Sequence, residues 1–192
     1  MLTEATNPRS AALLKAIIYW IIFMLLLFVT GIFIVRMFPA SWERFVYGIS
    51  GTIGSCIAVW VLLKSEKRSF ADYGLTWQKN TVVHFIKGLF IGAASFGLII
   101  VILLLFTELK ISKNTTAWDP LMLFWYLAII PLALMEEVAF RSYSFLKLNT
   151  AFGLRVTQLI IAIVFALYHI VQGWNWQIAF LGPGIWALVF GL

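Results

Sequence analysis

The stretch AIIYWIIFMLLLFVTGIFIV, Ala16 to Val35, is 20 consecutive residues without a charged side chain. At about 1.5 Å per residue, a helix of that length crosses a hydrocarbon core of roughly 30 Å. It is too long for the apolar part of a cleaved signal peptide, and no small-x-small cleavage pattern follows it closely. Read outward, the chain repeats the pattern. Phe45 to Leu63, Gly88 to Phe106, a run starting at Leu121, Val156 to Val171, and Trp176 to Leu192 are further apolar stretches. These runs are continuous rather than alternating. Only helices and closed barrels satisfy their backbone groups in lipid, so each run reads as a helix. The expected fold class is all-α: a polytopic transmembrane helical bundle with six apolar spans, forming a single membrane domain over residues 1–192.

Composition agrees. Apolar residues make up 62% of the 192 and charged residues 11%, with a mean hydropathy of +0.98. A soluble domain clothes its surface with about a quarter charged residues. That excludes an ordinary soluble enzyme, a disordered chain and a nucleic-acid-binding module, so no nucleic-acid partner is expected. The expected partners are the lipid bilayer and a membrane-associated peptide or protein substrate; oligomeric state is not legible. The single cysteine, Cys56, excludes an intrachain disulfide and a cysteine-based metal site, and reads as a small packed hydrophobe.

Loop charge sets the orientation. The N-terminal segment, the loop over 64–87 and the turn over 147–155 together carry nine Lys and Arg; the other side carries Arg36, Arg44, Lys110 and Lys113. The positive-inside rule then places the N-terminus in the cytoplasm. The localisation expected is a multi-pass protein of the plasma membrane. Trp42, Trp118, Trp174 and Trp176 fall at outer span ends, as interfacial anchors do. A sequon, Asn114-Thr115-Thr116, lies in an outer loop. Gly88-x-x-x-Gly92 and Ala93-x-x-x-Gly97 put small residues one turn apart on the third span, which suits bundle packing. The polar segment Lys64 to Lys87 reads as a loop with room for a short interfacial helix.

The fourth span carries Met135-Glu136-Glu137-Val138-Ala139-Phe140-Arg141. An ionisable group at membrane depth costs roughly 2.5–3.5 kcal/mol on insertion scales, so it needs a partner or a task. Glu137 and Arg141 are four apart with the acid N-terminal, the favourable order for an ion pair. Glu136 is rotated about 100° away and has no cation one turn on. Glu137 therefore reads as the paired carboxylate and Glu136 as the available one. Nothing between Glu137 and Leu148 signals a helix end, so one helix is expected from about Leu121 to Leu148, turning near Gly153. The turn lies midway between Glu136 and His169, which puts the two at one level of an antiparallel hairpin, roughly 25 Å from the turn. A carboxylate facing an imidazole inside a bundle suits general-base activation of water, with peptide hydrolysis within the membrane as the obvious reaction. A Glu–Arg–His cluster that only pins helices is the alternative, and at this level both stand.

Glu136-Glu137-x-x-x-Arg141, followed by Phe165-x-x-x-His169, resembles the first two motifs of the CPBP family, the CAAX-protease and bacteriocin-processing (Abi) intramembrane proteases. Order, residue type and hairpin spacing match over about residues 120–192, and Asp72-Tyr73-Gly74-Leu75 is weakly similar to family members. The resemblance implies that Glu136 and His169 are catalytic, with Glu136 as general base. It implies that Glu137 and Arg141 support the site and that Phe165 packs against His169. Family members are often described as metalloproteases. Two glutamates and one histidine make a poor zinc site, so no cofactor is expected; a metal, if bound, would take Glu136, Glu137 and His169. The family pattern continues with a further His and, four residues on, an Asn or Asp, which would supply an oxyanion hole. No His follows His169 here. The expectation is a catalytic core incomplete at its C-terminus, inactive as the 192 residues stand.

Rival signatures are weaker. HExxH and Gly-x-Gly-Asp are absent, and Asp72 and Asp119 sit in loops. Gly48-Ile49-Ser50-Gly51 matches the GxSG of rhomboids and formally pairs Ser50 with His169. Its reading here is helix packing around Gly48, Gly51 and Gly54. The function expected is an intramembrane endopeptidase that processes CAAX-type ends or leader peptides. The alternative is a bacteriocin-immunity, regulatory or scaffold role without cleavage.

Overall fold

The computed structural model describes residues 7–113 and 122–190. The sequon at 114–116, Trp118 and Gly191 lie outside the described residues. Each apolar run winds into a helix because its backbone polar groups have no other partner in lipid. The described helices are α1 (Pro8–Phe33), α2 (Glu43–Glu66), α3 (Thr81–Phe106), α4 (Met122–Leu127), α5 (Ile129–Arg141), α6 (Tyr143–Phe152), α7 (Leu154–Val171), α8 (Trp176–Ala179) and α9 (Ile185–Phe190). No strand occurs among the described residues, and the fold is an all-α helical bundle. Local signals set the ends. Asn7 accepts the Arg9 N–H at 3.1 Å and Pro8 opens α1. The turn expected near Gly153 separates α6 from α7.

The chain divides into two units. One is Thr76–Trp118, whose described helix is α3, carrying the Gly88 and Ala93 small-residue pattern. The other combines Met1–Leu75 with Asp119–Leu192 and holds the core. There α1 presents Ala12, Ala16, Tyr19, Phe23 and Leu27 inward at helical spacing. All of these but Ala12 join Val59, Leu62 and Leu63 of α2, Met135 and Phe140 of α5, and Tyr143 of α6 in one core cluster. The α2–α5 contact is close because Gly48 sits on it. A Cβ built at Gly48 would come within 2.7 Å of the Leu132 backbone nitrogen. The Thr52 hydroxyl fastens the same contact by donating to the Gly48 carbonyl at 2.8 Å and the Pro131 carbonyl at 3.1 Å.

One expectation is corrected, and another falls partly outside the described residues. Among the described residues five helical stretches are long and apolar enough to cross a membrane: Pro8–Met37, Ala40–Glu66, Thr81–Phe106, Met122–Phe152 and Leu154–Val171. The sixth apolar run forms a shorter helical segment, Trp176–Val189. Pro183 lies inside a π turn at Phe180–Gly184, where a missing N–H and a bulky ring disrupt the α-helical ladder.

The fourth span is not one unbroken helix over Leu121 to Leu148. It breaks at Ala128 and again at Ser142, and runs on to Phe152. Pro131 accounts for the first break, since proline cannot donate to the carbonyl four residues back. At the second, Ser142 leaves helical conformation with φ −94° and ψ −107°. Side chains take up the carbonyls there. The Tyr19 hydroxyl donates to the Val138 carbonyl at 3.0 Å and the Trp20 indole N–H to the Ala139 carbonyl at 3.3 Å. Ser142 also donates to the Val138 carbonyl, and Ser144 to that of Ala139 at 3.3 Å. A kink inside a membrane helix survives when neighbours satisfy the freed groups in this way.

Candidate active site

Helix α5 carries Glu136 and Glu137 on adjacent faces, and α7 returns alongside with Phe165 and His169. The hairpin brings Glu136 and His169 together: Oε1 of one lies 3.9 Å from Nε2 of the other. That is beyond direct hydrogen-bond reach and leaves room for a water bonded to both. The His169 side chain is 11% exposed and that of Glu136 33%, so the acid faces open space and the imidazole is walled in.

Three contacts fix the imidazole. Its Nδ1 lies 2.9 Å from the Phe165 carbonyl. A carbonyl oxygen only accepts, so Nδ1 carries the proton in that bond, and in the neutral ring Nε2 is a lone pair directed toward Glu136. Phe165 packs edge-on against the ring at 4.6 Å, the contact that the Phe165-x-x-x-His169 spacing anticipates. Trp174 packs on it at 5.0 Å. Gly173, at φ 90°, turns the chain after α7, and the Trp174 N–H donates to the His169 carbonyl at 3.0 Å. A side chain at 173 would be strained in that conformation, so glycine is what folds Trp174 back over the histidine.

Glu137 and Arg141 form the expected i,i+4 ion pair at 2.8 Å. The pair is not sealed in the core: the Glu137 side chain is 54% exposed. Glu136, Glu137, Arg141 and Phe165 line a cavity of about 170 Å³, closed on one side by Trp186 and Ala187 of α9. A second cavity, of about 330 Å³, holds Glu136 and His169 with Glu43, Arg44, Tyr47 and Trp174. Glu136 is therefore shared by two cavities, and His169 lines the larger. Ser50 lines neither; it is buried on α2 between the glycines of the α2–α5 contact.

The larger cavity contains residues that sequence spacing does not reveal. Tyr47 and Arg44 come from α2, 89 and 92 positions from Glu136. The Arg44 guanidinium lies 5.1 Å from the centre of the Trp125 ring. Trp174 reads as an interfacial anchor in the sequence, and its contact with His169 appears only in the fold.

Zinc takes three or four nitrogen, sulfur or carboxylate ligands at about 2 Å. Among the described residues no three His, Cys, Asp or Glu side chains converge closely enough to hold a metal ion. Of the three residues named for that role, Glu137 is engaged by Arg141 at 2.8 Å.

Residues 117–192 match the family model described as type II CAAX prenyl endopeptidase, Rce1-like. The match covers Glu136, Glu137, Arg141, Phe165 and His169 and bears out the resemblance to CPBP intramembrane proteases. No curated protein and no solved structure matches the chain.

Proposed function

Taking the Rce1-like CAAX prenyl endopeptidase match over residues 117–192 as premise, we propose that this protein is an intramembrane endopeptidase whose water is activated by Glu136 and His169. At a coarse level that match supports a protease embedded in the membrane. The assignment of residues rests on one observation: Glu136 Oε1 and His169 Nε2 stand 3.9 Å apart on the wall of a shared cavity. A helix-pinning cluster would be expected to close that gap into a direct hydrogen bond.

The chemistry follows from the two groups. A water sits about 2.8 Å from each. Glu136 takes one of its protons as the oxygen adds to the scissile carbonyl carbon, giving a tetrahedral intermediate. His169 accepts from that water through Nε2 and is kept in this tautomer by Phe165. When the carbon–nitrogen bond breaks, the proton held at Glu136 passes to the leaving nitrogen. The products are a new carboxylate end and a new amine end. Arg141 holds Glu137 aside, so the two neighbouring carboxylates do not share one task. No metal takes part in this scheme. The substrate class is a membrane-associated peptide, prenylated at its C-terminus or carrying a leader segment. The nine-to-four division of basic residues supports a cytoplasmic N-terminus, and the membrane we assign is the plasma membrane.

The test is turnover of a farnesylated CAAX peptide and of a leader-peptide reporter by purified protein in detergent. Wild type carried on a chain that supplies a C-terminal His-x-x-x-Asn helix should cleave one of them, and Glu136→Gln in that chain should lower turnover by at least about 100-fold at unchanged melting temperature. Equal cleavage by both proteins would remove Glu136 from the mechanism. No cleavage by wild type would favour a bacteriocin-immunity or scaffold role.

A further inference from the structure

At the other end of α2 from Arg44, a cavity of about 570 Å³ opens among the start of α1, the short turn Phe70–Tyr73 and the second half of α6. Its charged lining is Lys15, Arg68, Lys147 and Asp72, with apolar wall from Ala12 and Leu146. Glu66 engages two of these cations: Lys15 Nζ and Lys147 Nζ each lie 2.8 Å from its Oε1. Tyr143 donates to the same carboxylate at 2.9 Å and Tyr73 at 3.2 Å. Burial, and then the charge of Glu66, push the Tyr73 phenol up to about 12, so it stays a neutral donor. Asp72 is turned to its own capping box, accepting the Ser69 N–H at 2.9 Å and the Ser69 hydroxyl at 3.1 Å. These bonds hold its carboxyl below the usual range, and it stays ionised.

The balance of charge is what points to a ligand. Lys15, Arg68 and Lys147 face Asp72 and Glu66, which leaves one positive charge uncompensated. Of the three cations Arg68 is the one outside the Glu66 cluster: it is exposed, lines the cavity and makes no ion pair within 4 Å among the described residues. Level matters as well. Pro8–Met37 begins here, Ala40–Glu66 ends here and Met122–Phe152 ends here. Three membrane-crossing stretches that terminate together mark the height of the lipid headgroups. A basic pocket between helices at that height suits an anionic headgroup, and a guanidinium fork matches two phosphate oxygens.

We propose that the cavity framed by Lys15, Arg68 and Lys147 binds a phosphate group of one net negative charge, supplied by the headgroup of an anionic phospholipid or by free phosphate. The site is separate from the Glu136 cavity and does not depend on the protease reading.

The experiment counts phosphatidylglycerol and phosphatidylcholine retained by the full chain, by native mass spectrometry from mixed micelles. Inorganic phosphate is the second probe, followed by thermal shift. Arg68→Gln is the informative variant, because it leaves the Glu66 cluster intact. Phosphatidylglycerol should be retained over phosphatidylcholine, and Arg68→Gln should weaken retention about fivefold. Arg68→Lys should keep most of it, and Arg155→Gln, a basic residue outside the cavity, should change nothing. If inorganic phosphate stabilises the protein with the same dependence on Arg68 and the lipid does not, the source is free phosphate. Equal binding of both probes by wild type and Arg68→Gln would overturn the site. So would an equal loss in Arg155→Gln, which would show only general surface charge.

Discussion

Glu136 and Glu137 are neighbours in sequence with different surroundings, and that difference is measurable one residue at a time. Glu137→Gln breaks the 2.8 Å bond to Arg141. Because the pair is half-exposed, the cost should be about 1 kcal/mol rather than the 3–5 expected of a sealed pair. Melting in detergent should therefore fall only by about 2–4 °C. A collapse of the fold on this substitution would mean that the pair is far more deeply embedded. Trp174→Ala tests the wall of the site. Without that ring against His169, the imidazole gains freedom, and turnover should drop roughly 10- to 100-fold while stability holds. Unchanged turnover would reduce Trp174 to a membrane anchor. The pairing of Glu137 with Arg141 was legible from i,i+4 spacing. Trp174 was not, since its role depends on a positive-φ glycine turning the chain back.

Between elements, the α5–α7 hairpin and the α2–α5 contact carry the site. In a Cys56→Ser background, cysteines at 136 and 169 should be joined by a short bifunctional reagent. Joining of 136 to a cysteine at 162 instead would show the two helices out of register. Gly48→Ala probes the close approach of α2 to α5. With backbone 2.7 Å from the added carbon, α2 must shift, and overpacking of this kind costs about 1–3 kcal/mol. An unchanged melting temperature would mean that the contact yields freely. Equidistance from Gly153 located Glu136 opposite His169 despite the unforeseen kink at Ser142. The kink leaves that register intact because it lies between Glu136 and the turn, within a hairpin whose two arms still pack together.

At the scale of the whole molecule, Glu66 ties three parts of the chain, through Lys15 in α1, Tyr73 after α2, and Tyr143 and Lys147 in α6. Glu66→Gln keeps the shape and removes the charge, and should cost about 1–3 kcal/mol by leaving two ammonium groups without their counter-charge. Glu43→Gln, which touches none of these groups, is the control; equal losses would deny the cluster its role. Orientation is tested by labelling whole cells with an impermeant thiol reagent. With a cytoplasmic N-terminus, a cysteine at Phe38 should react and one at Lys67 should not. The reverse pattern would invert the topology.

Hydropathy and spacing alone determined that this chain is a helical membrane bundle, and which carboxylate is paired. Both follow from short-range physics: a continuous apolar run must satisfy its own hydrogen bonds, and residues four apart share a helix face. Where helices break was only partly legible. Pro131 and Pro183 carry a local signal for their breaks, one that the expected unbroken fourth helix passed over, whereas Ser142 kinks the chain where Tyr19 and Trp20, from a distant helix, donate to the Val138 and Ala139 carbonyls. The Glu66 cluster was hidden for a related reason. Flanked by Lys64 and Lys67, that glutamate reads as part of a solvated charge run, and only the packing of α1 and α6 against the end of α2 gives it partners. Tyr47 and Arg44 join the Glu136 cavity in the same way. Local sequence encodes turns and faces; which faces meet is decided by the packing of helices far apart in the chain.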